Sequence, residues 1–265
     1  MLLRSSFSLF ILAVFTAGAL STSVSHAAPP WVSRSTNLPR GDWSFDPGLG
    51  LANVDYGPSD AFGAGLNLEA AVGVLPDLEL GLRTGIRLGN DGRRLQADEY
   101  GRLFDRQTFG TDHDGVANPE VRVRGRVIHG AVVELALEGR AYLPIEDGSR
   151  FGMMLGVPLF LHLGSRARID TGLYVPILFR ERTETVLSVP VDLWLQATTR
   201  LWLGPMSGVR NYNRSGTTDI ALGFGLGYQL TPSIDLKTML LFPGINQREG
   251  ARHVGAGVGL QLRIE

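Results

Sequence analysis

Residues 218–230 read Thr-Asp-Ile-Ala-Leu-Gly-Phe-Gly-Leu-Gly-Tyr-Gln-Leu, and this stretch decides the fold. Ile220, Leu222, Phe224, Leu226, Tyr228 and Leu230 fall on one face of an extended chain. Asp219, Ala221, Gly223, Gly225, Gly227 and Gln229 fall on the other. A period of two over this length means a strand with two chemically distinct faces. A helix is disfavoured, because glycine at every second position destabilises one. The last stretch repeats the pattern: Val254, Ala256, Val258, Leu260, Leu262 and Ile264 alternate with Gly255, Gly257, Gly259, Gln261 and Arg263. So does 78–88, where Leu78, Leu80, Leu82, Thr84, Ile86 and Leu88 oppose Glu79, Gly81, Arg83, Gly85 and Arg87.

Working outward, twelve strands are expected, at about 43–52, 62–75, 78–88, 119–129, 131–143, 151–163, 167–179, 185–197, 200–208, 218–230, 233–243 and 253–264. The first is the least regular, since Pro47 and three glycines interrupt it. Connections alternate in length. Short ones are Pro76-Asp77, His129-Gly130, Gly164-Ser165-Arg166, Thr198-Thr199 and Thr231-Pro232; longer ones are 53–61, 89–118, 144–150, 180–184, 209–217 and 244–252. If the strands run up and down, all tight turns share one end with both termini. Strands of 9–11 or more residues match what a tilted strand needs to cross a bilayer. In hydrocarbon every backbone polar group must be paired internally, and only a closed sheet has no unsatisfied edge. A soluble sandwich also alternates, but rarely needs strands this long. The expected fold is an all-β, transmembrane, antiparallel up-and-down β-barrel with the apolar face to lipid. Phe151, Phe179 and Phe242 are placed on that face at the long-loop ends, with Tyr228 near the short-turn end, as interfacial aromatic residues are.

The first 27 residues are set apart as a secretory signal peptide, to be cleaved. Arg4 precedes an uncharged apolar run, Phe7 to Leu20, and Ser25-His26-Ala27 places small residues at −3 and −1 of a cleavage site. The run is too short to span a bilayer. Residues 28–42 are then a periplasmic N-terminal segment or an internal plug, and 43–265 the barrel. The chain would be exported to the outer membrane of a Gram-negative cell, with outer-membrane lipid as its surroundings.

Composition narrows the function. A net charge of −1 over 265 residues excludes a strongly basic nucleic-acid binder. Without cysteine there is no disulfide framework and no Cys/His zinc module. Thr111-Asp112-His113-Asp114-Gly115 in the acidic loop 89–118 matches a fragment of a calcium loop but lacks the remaining ligands. No metal site and no cofactor are expected. The GxG pairs at 223–227 and 255–259 lie inside strands, so they are not nucleotide fingerprints.

The lumen face carries the candidate chemistry. Arg122, Arg124 and Arg126 share one face, and the next strand supplies Glu134, Glu138 and Arg140. Across the turn, Arg126 is expected opposite Glu134, and Arg122 opposite Glu138. Glu69, Glu79, Arg83 and Arg87 form a second patch; Arg168, Asp170, Asp235, Lys237 and Arg263 add to it. These charges either brace the wall as cross-strand pairs or form an arginine ladder that attracts anions. The opposite wall is apolar and aromatic, with Met154, Pro158, Phe160, Tyr174, Pro176, Leu178, Trp194, Trp202 and Met206 directed inward. That surface suits an aromatic solute in transit or contact with an internal plug.

The chain resembles the twelve-stranded outer-membrane β-barrels of the porin-like or transporter-like kind over residues 43–265. Gly115-Val116-Ala117-Asn118-Pro119-Glu120-Val121, entering a strand after a long loop, is similar to outer-membrane transporters linked to aromatic-compound degradation; this likeness assigns no residues. The resemblance implies passive passage of a small solute, with Arg83, Arg87, Arg122, Arg124, Arg126, Glu134, Glu138, Arg140, Tyr174, Trp194 and Trp202 as lumen-lining candidates. The alternative is a plugged structural or adhesive barrel displaying its loops. A lipid hydrolase is the remote reading: only His253 falls at the loop end, Ser207 and Ser215 are distant partners, and no motif unites them. The sequence therefore does not point to an enzyme. Solute and oligomeric state are not encoded in any motif.

Overall fold

The computed structural model describes residues 29–55, 60–89, 115–116, 119–145, 151–179, 183–213, 215–246 and 254–265. Residues 1–28, on which the expected signal peptide falls, most of loop 89–118 with His113, and His253 lie outside the described residues.

Twelve long strands form one antiparallel sheet: β1 (Trp43–Asp55), β2 (Asp60–Leu75), β3 (Leu78–Gly89), β5 (Glu120–His129), β6 (Val133–Tyr142), β7 (Gly152–His162), β8 (Ala167–Leu178), β9 (Glu184–Gln196), β10 (Leu201–Tyr212), β11 (Thr218–Thr231), β12 (Ile234–Phe242) and β13 (Val254–Ile264). A two-residue strand, β4 (Gly115–Val116), pairs with Ile86 and Arg87 on the β3 edge that β5 also occupies. Sequential neighbours pair around the ring, β1 pairs with β13, and among the described residues no edge of a long strand is left unmatched. The sheet is a closed barrel.

The side chains divide as the period of two requires. On β6, Glu134, Ala136, Glu138 and Arg140 are buried and Leu137 is exposed. Leu49, Leu82, Val123, Leu155, Leu222 and Phe224 are likewise exposed, so the outside is a continuous apolar surface that water would not tolerate and lipid does. Phe151 and Phe179 stack on each other at 5.9 Å between ring centroids, on the outside at the ends of β7 and β8.

The irregular first strand forms as expected, and two readings need correction. The first strand tolerates Pro47: it pairs with Leu68 on β2, while the ladder to β13 skips Asp46 and Pro47, where proline has no N–H to give. β10 runs to Tyr212, past the expected end at 208, because Val209 and its neighbours stay paired to both flanking strands. The β5–β6 register is shifted by two residues. The turn is Gly130-Ala131-Val132 and a bulge falls between Arg126 and Ile128, so Arg124 lies opposite Glu138, Arg122 opposite Arg140 and Arg126 opposite Ala136.

Candidate functional site

Residues 29–42 lie inside the barrel, along the short-turn end of the wall. They hold almost no regular structure, since Pro29, Pro30 and Pro39 leave one short 3-10 turn, Trp31–Ser33. Their backbone groups are satisfied by the wall instead. The Trp31 ring stacks on Trp202 of β10 at 5.1 Å and 3°, and meets the Trp194 ring of β9 edge-on at 5.2 Å. The Arg168 guanidinium of β8 covers its other side at 3.9 Å. Val32 N–H donates to Gln196 Oε1 at 3.3 Å, and the Val32 carbonyl meets His162 Nδ1 of β7 at 3.0 Å. Glu134 on β6 accepts from the Ser35 hydroxyl (2.9 Å), the Thr36 N–H (2.9 Å) and the Thr36 hydroxyl (3.1 Å). Asn37 Nδ2 donates to the carbonyls of Asp77 and Arg124, and Leu38 N–H to Glu79 at 2.9 Å. Gly41 N–H then bonds the Gly73 carbonyl of β2 at 2.7 Å. Gly73 faces this crossing so closely that any Cβ there would run into the Pro39 carbonyl. The segment is thus a belt that passes from β10 to β2 around the inner wall.

The arginine-rich strand is engaged along its length. Arg122 bridges Glu69 (2.9 Å) and Glu79 (2.7 Å). Arg124 pairs with Glu138 at 2.6 Å and donates to the Thr36 carbonyl at 2.9 Å. Arg126 pairs with Asp77 at 2.7 Å, bonds the Ser35 hydroxyl, and lies 3.8 Å from Glu134. Arg140 pairs with Glu138 at 2.6 Å and reaches Glu120 at 3.6 Å; Glu120 also receives Arg83. Arg87 sits on β3, its side chain outside the described residues. Tyr174 is buried against Met154 and Tyr142. The structure therefore brings Arg83, Arg122, Arg124, Arg126, Glu134, Glu138 and Arg140 into one network, and Trp194 and Trp202 into another built on Trp31.

Between the belt and the glycine-rich side of the wall lies a cavity of about 580 Å³. Asp46, Glu69, Lys237 and Arg263 border it on the wall side, and Trp31 and Arg34 on the belt side. Arg34 is held by four groups: its N–H donates to the Trp31 carbonyl at 3.1 Å, its carbonyl accepts from Arg168 on β8 at 3.2 Å, its Nε donates to the Pro29 carbonyl at 3.3 Å, and its guanidinium pairs with Asp235 on β12. Arg34 and its partners in the belt went unmarked in the sequence reading. The only signal was a tryptophan and two arginines, Arg34 and Arg40, in an otherwise proline- and serine-rich stretch with no periodicity.

Among the described residues there is no cluster of His, Asp and Glu that could hold a metal ion. His162 meets the Val32 carbonyl through Nδ1, its Nε2 lying 3.3 Å from Glu134 without a hydrogen bond, and His129 is two-thirds exposed at the end of β5.

No family model matches the sequence, and no curated protein matches it. Solved structures do match. The NanC porin is similar at 9% identity and TM-score 0.58, covering 83% of this chain and 100% of its own. The KdgM porin is similar at 11% identity and TM-score 0.55, covering 84% and 99%. An outer-membrane channel from Pseudomonas putida F1 is similar at 12% identity and TM-score 0.59, covering 89% and 100%. At these identities the likeness is one of fold, and the fold is that of the outer-membrane porins and channels.

Proposed function

We propose that the chain is an outer-membrane channel for passive passage of a small solute, narrowed at its short-turn end by residues 29–42 acting as a partial plug. The observation that carries this reading is the cavity of about 580 Å³, lined by charged side chains set among apolar ones, inside a closed barrel whose outside is apolar. A water-filled space on the inside and a greasy outside are what a pore in lipid requires. The fold neighbours support it: two are porins and one a channel, and a KdgM porin structure is in complex with a disordered oligogalacturonate. The network around Arg122 and Arg124 braces the wall, since each guanidinium already has carboxylate partners; its second effect is to line the narrow part with fixed charge.

Planar-bilayer recording tests this. The full chain gives small discrete steps, and deletion of residues 29–42 gives larger ones. Replacing Arg122 and Arg124 by glutamine lowers the anion preference of the deleted form. Absence of discrete steps from both forms overturns the channel. In that case the second reading stands, a structural barrel displaying its loops, which the dense bonding of the belt to the wall favours.

A further inference from the structure

Most belt contacts are made to the strand the belt is passing. Arg34 is different. Its backbone is bonded to β8 while its side chain reaches Asp235 on β12, four strand positions further around a ring of twelve. The pair is a chord across the lumen, and Arg34 forms part of the border of the cavity beside it.

Asp235 is fully buried, and a buried carboxylate stripped of its cation is costly. It has a second cation, however: Arg263 Nη2 from the adjacent strand β13 lies 3.3 Å from the same Oδ2 that Arg34 holds. Two guanidiniums therefore converge on one carboxylate, one fixed to the wall and one carried by the belt. Withdrawal of Arg34 leaves Asp235 paired but leaves the arginine itself without a carboxylate partner unless another takes it. A free carboxylate in the cavity can do so, with the charge-assisted and bidentate geometry that Arg34 already uses toward Asp235 through Nη1 and Nη2.

We propose that the Arg34–Asp235 pair is a crossbar of the lumen, and that a small solute bearing a carboxylate opens it by taking Arg34 from Asp235. The proposal rests on the channel reading and names the solute class that the channel favours. No covalent step is involved: one ion pair is exchanged for another, and Arg263 keeps Asp235 neutralised. The exchange of one charge-assisted carboxylate pair for another of the same kind shifts the balance of closed and open states by about tenfold rather than by many decades.

Single-channel recording at constant chloride, with propionate or its neutral isostere propionamide added, supplies the test. Propionate prolongs the open state of the full chain and propionamide does not. Arg34→Gln is open more often without any addition and no longer responds to propionate. Arg34→Lys, which keeps the charge but not the fork, responds weakly. Retention of the heat-dependent gel mobility of a folded barrel by each variant separates a gating effect from misfolding. Equal responses to propionate and propionamide, or an Arg34→Gln protein that still responds to propionate, overturn the crossbar. If deletion of residues 29–42 conducts while Arg34→Gln behaves as the unaltered chain, the crossbar falls and the channel stands. If neither conducts, both fall.

Discussion

Trp202 is fully buried between two flat surfaces, the ring of Trp31 on one side and the backbone of Gly227 on the other. Gly227 is where β11 gives up a side chain so that the indole can lie against the wall; a Cβ there would overlap the ring atoms. The sequence displays this glycine as one of many at inward positions, and nothing in a period of two separates a glycine that leaves open space from one that a tryptophan fills. The inward tryptophans were legible as an apolar wall; that Trp194 and Trp202 fill the space in front of Gly225 and Gly227 was not, and nor was their partner Trp31, because it sits in a segment without periodicity. Gly227→Val is expected to displace Trp202 and unseat Trp31. Overpacking of this kind costs about 1–3 kcal/mol. Denaturant titration in liposomes followed by tryptophan emission reads it: the midpoint falls and the emission of the native state moves to the red. An unchanged midpoint and spectrum would mean that the two rings have room the contacts do not suggest.

At the scale of the element, each strand is a two-sided object, and the sequence reading of its sides is the firmest part of the whole. All twelve long strands were visible because the lipid side must be apolar at every second residue, a requirement that leaves a mark along the whole strand. Register left a weaker mark. Arg122, Arg124 and Arg126 can meet Glu134 and Glu138 in more than one alignment, and the observed one depends on a bulge after Arg126 and on a three-residue turn, both set by local backbone geometry. The faces themselves predict the energetics of substitution. Leu137 sits midway along β6 with 54% of its surface exposed, and Val132 lies in the adjoining turn with 60% exposed. By exposure alone an arginine would be equally tolerated at both. If the outside faces hydrocarbon, Leu137→Arg costs about 2–4 kcal/mol and Val132→Arg about 0–1 kcal/mol, because the penalty depends on depth in the bilayer. Equilibrium folding into phosphatidylcholine vesicles measures the difference, and equal effects would place β6 in water.

For the whole molecule, orientation decides which mouth of the barrel a solute meets first. The five short turns, the belt and Glu265 share one mouth of the barrel, and the strand ends that lead into and out of the long segment between β3 and β5 lie at the other. Barrels of the outer membrane keep tight turns in the periplasm and long loops outside. A belt entered from the periplasmic side is also consistent with its chemistry, since it arrives on the chain just ahead of β1 and bonds to the ends of strands nearest the turns. Thr199 lies in an exposed turn between β9 and β10, and Asn213 lies exposed at the opposite end of β10. The absence of any native cysteine makes each position a clean reporter once it is replaced. In intact Gram-negative cells expressing the protein, a maleimide too large to pass the outer membrane is expected to label Asn213→Cys and to leave Thr199→Cys untouched until the membrane is permeabilised. The reverse pattern would turn the barrel over, put the belt and its Arg34–Asp235 chord at the cell surface, and make the crossbar an outer gate that a solute meets first. Labelling of both positions in intact cells would mean that the chain does not lie in the outer membrane in this way at all, since a barrel that spans the bilayer must hide one of its two mouths.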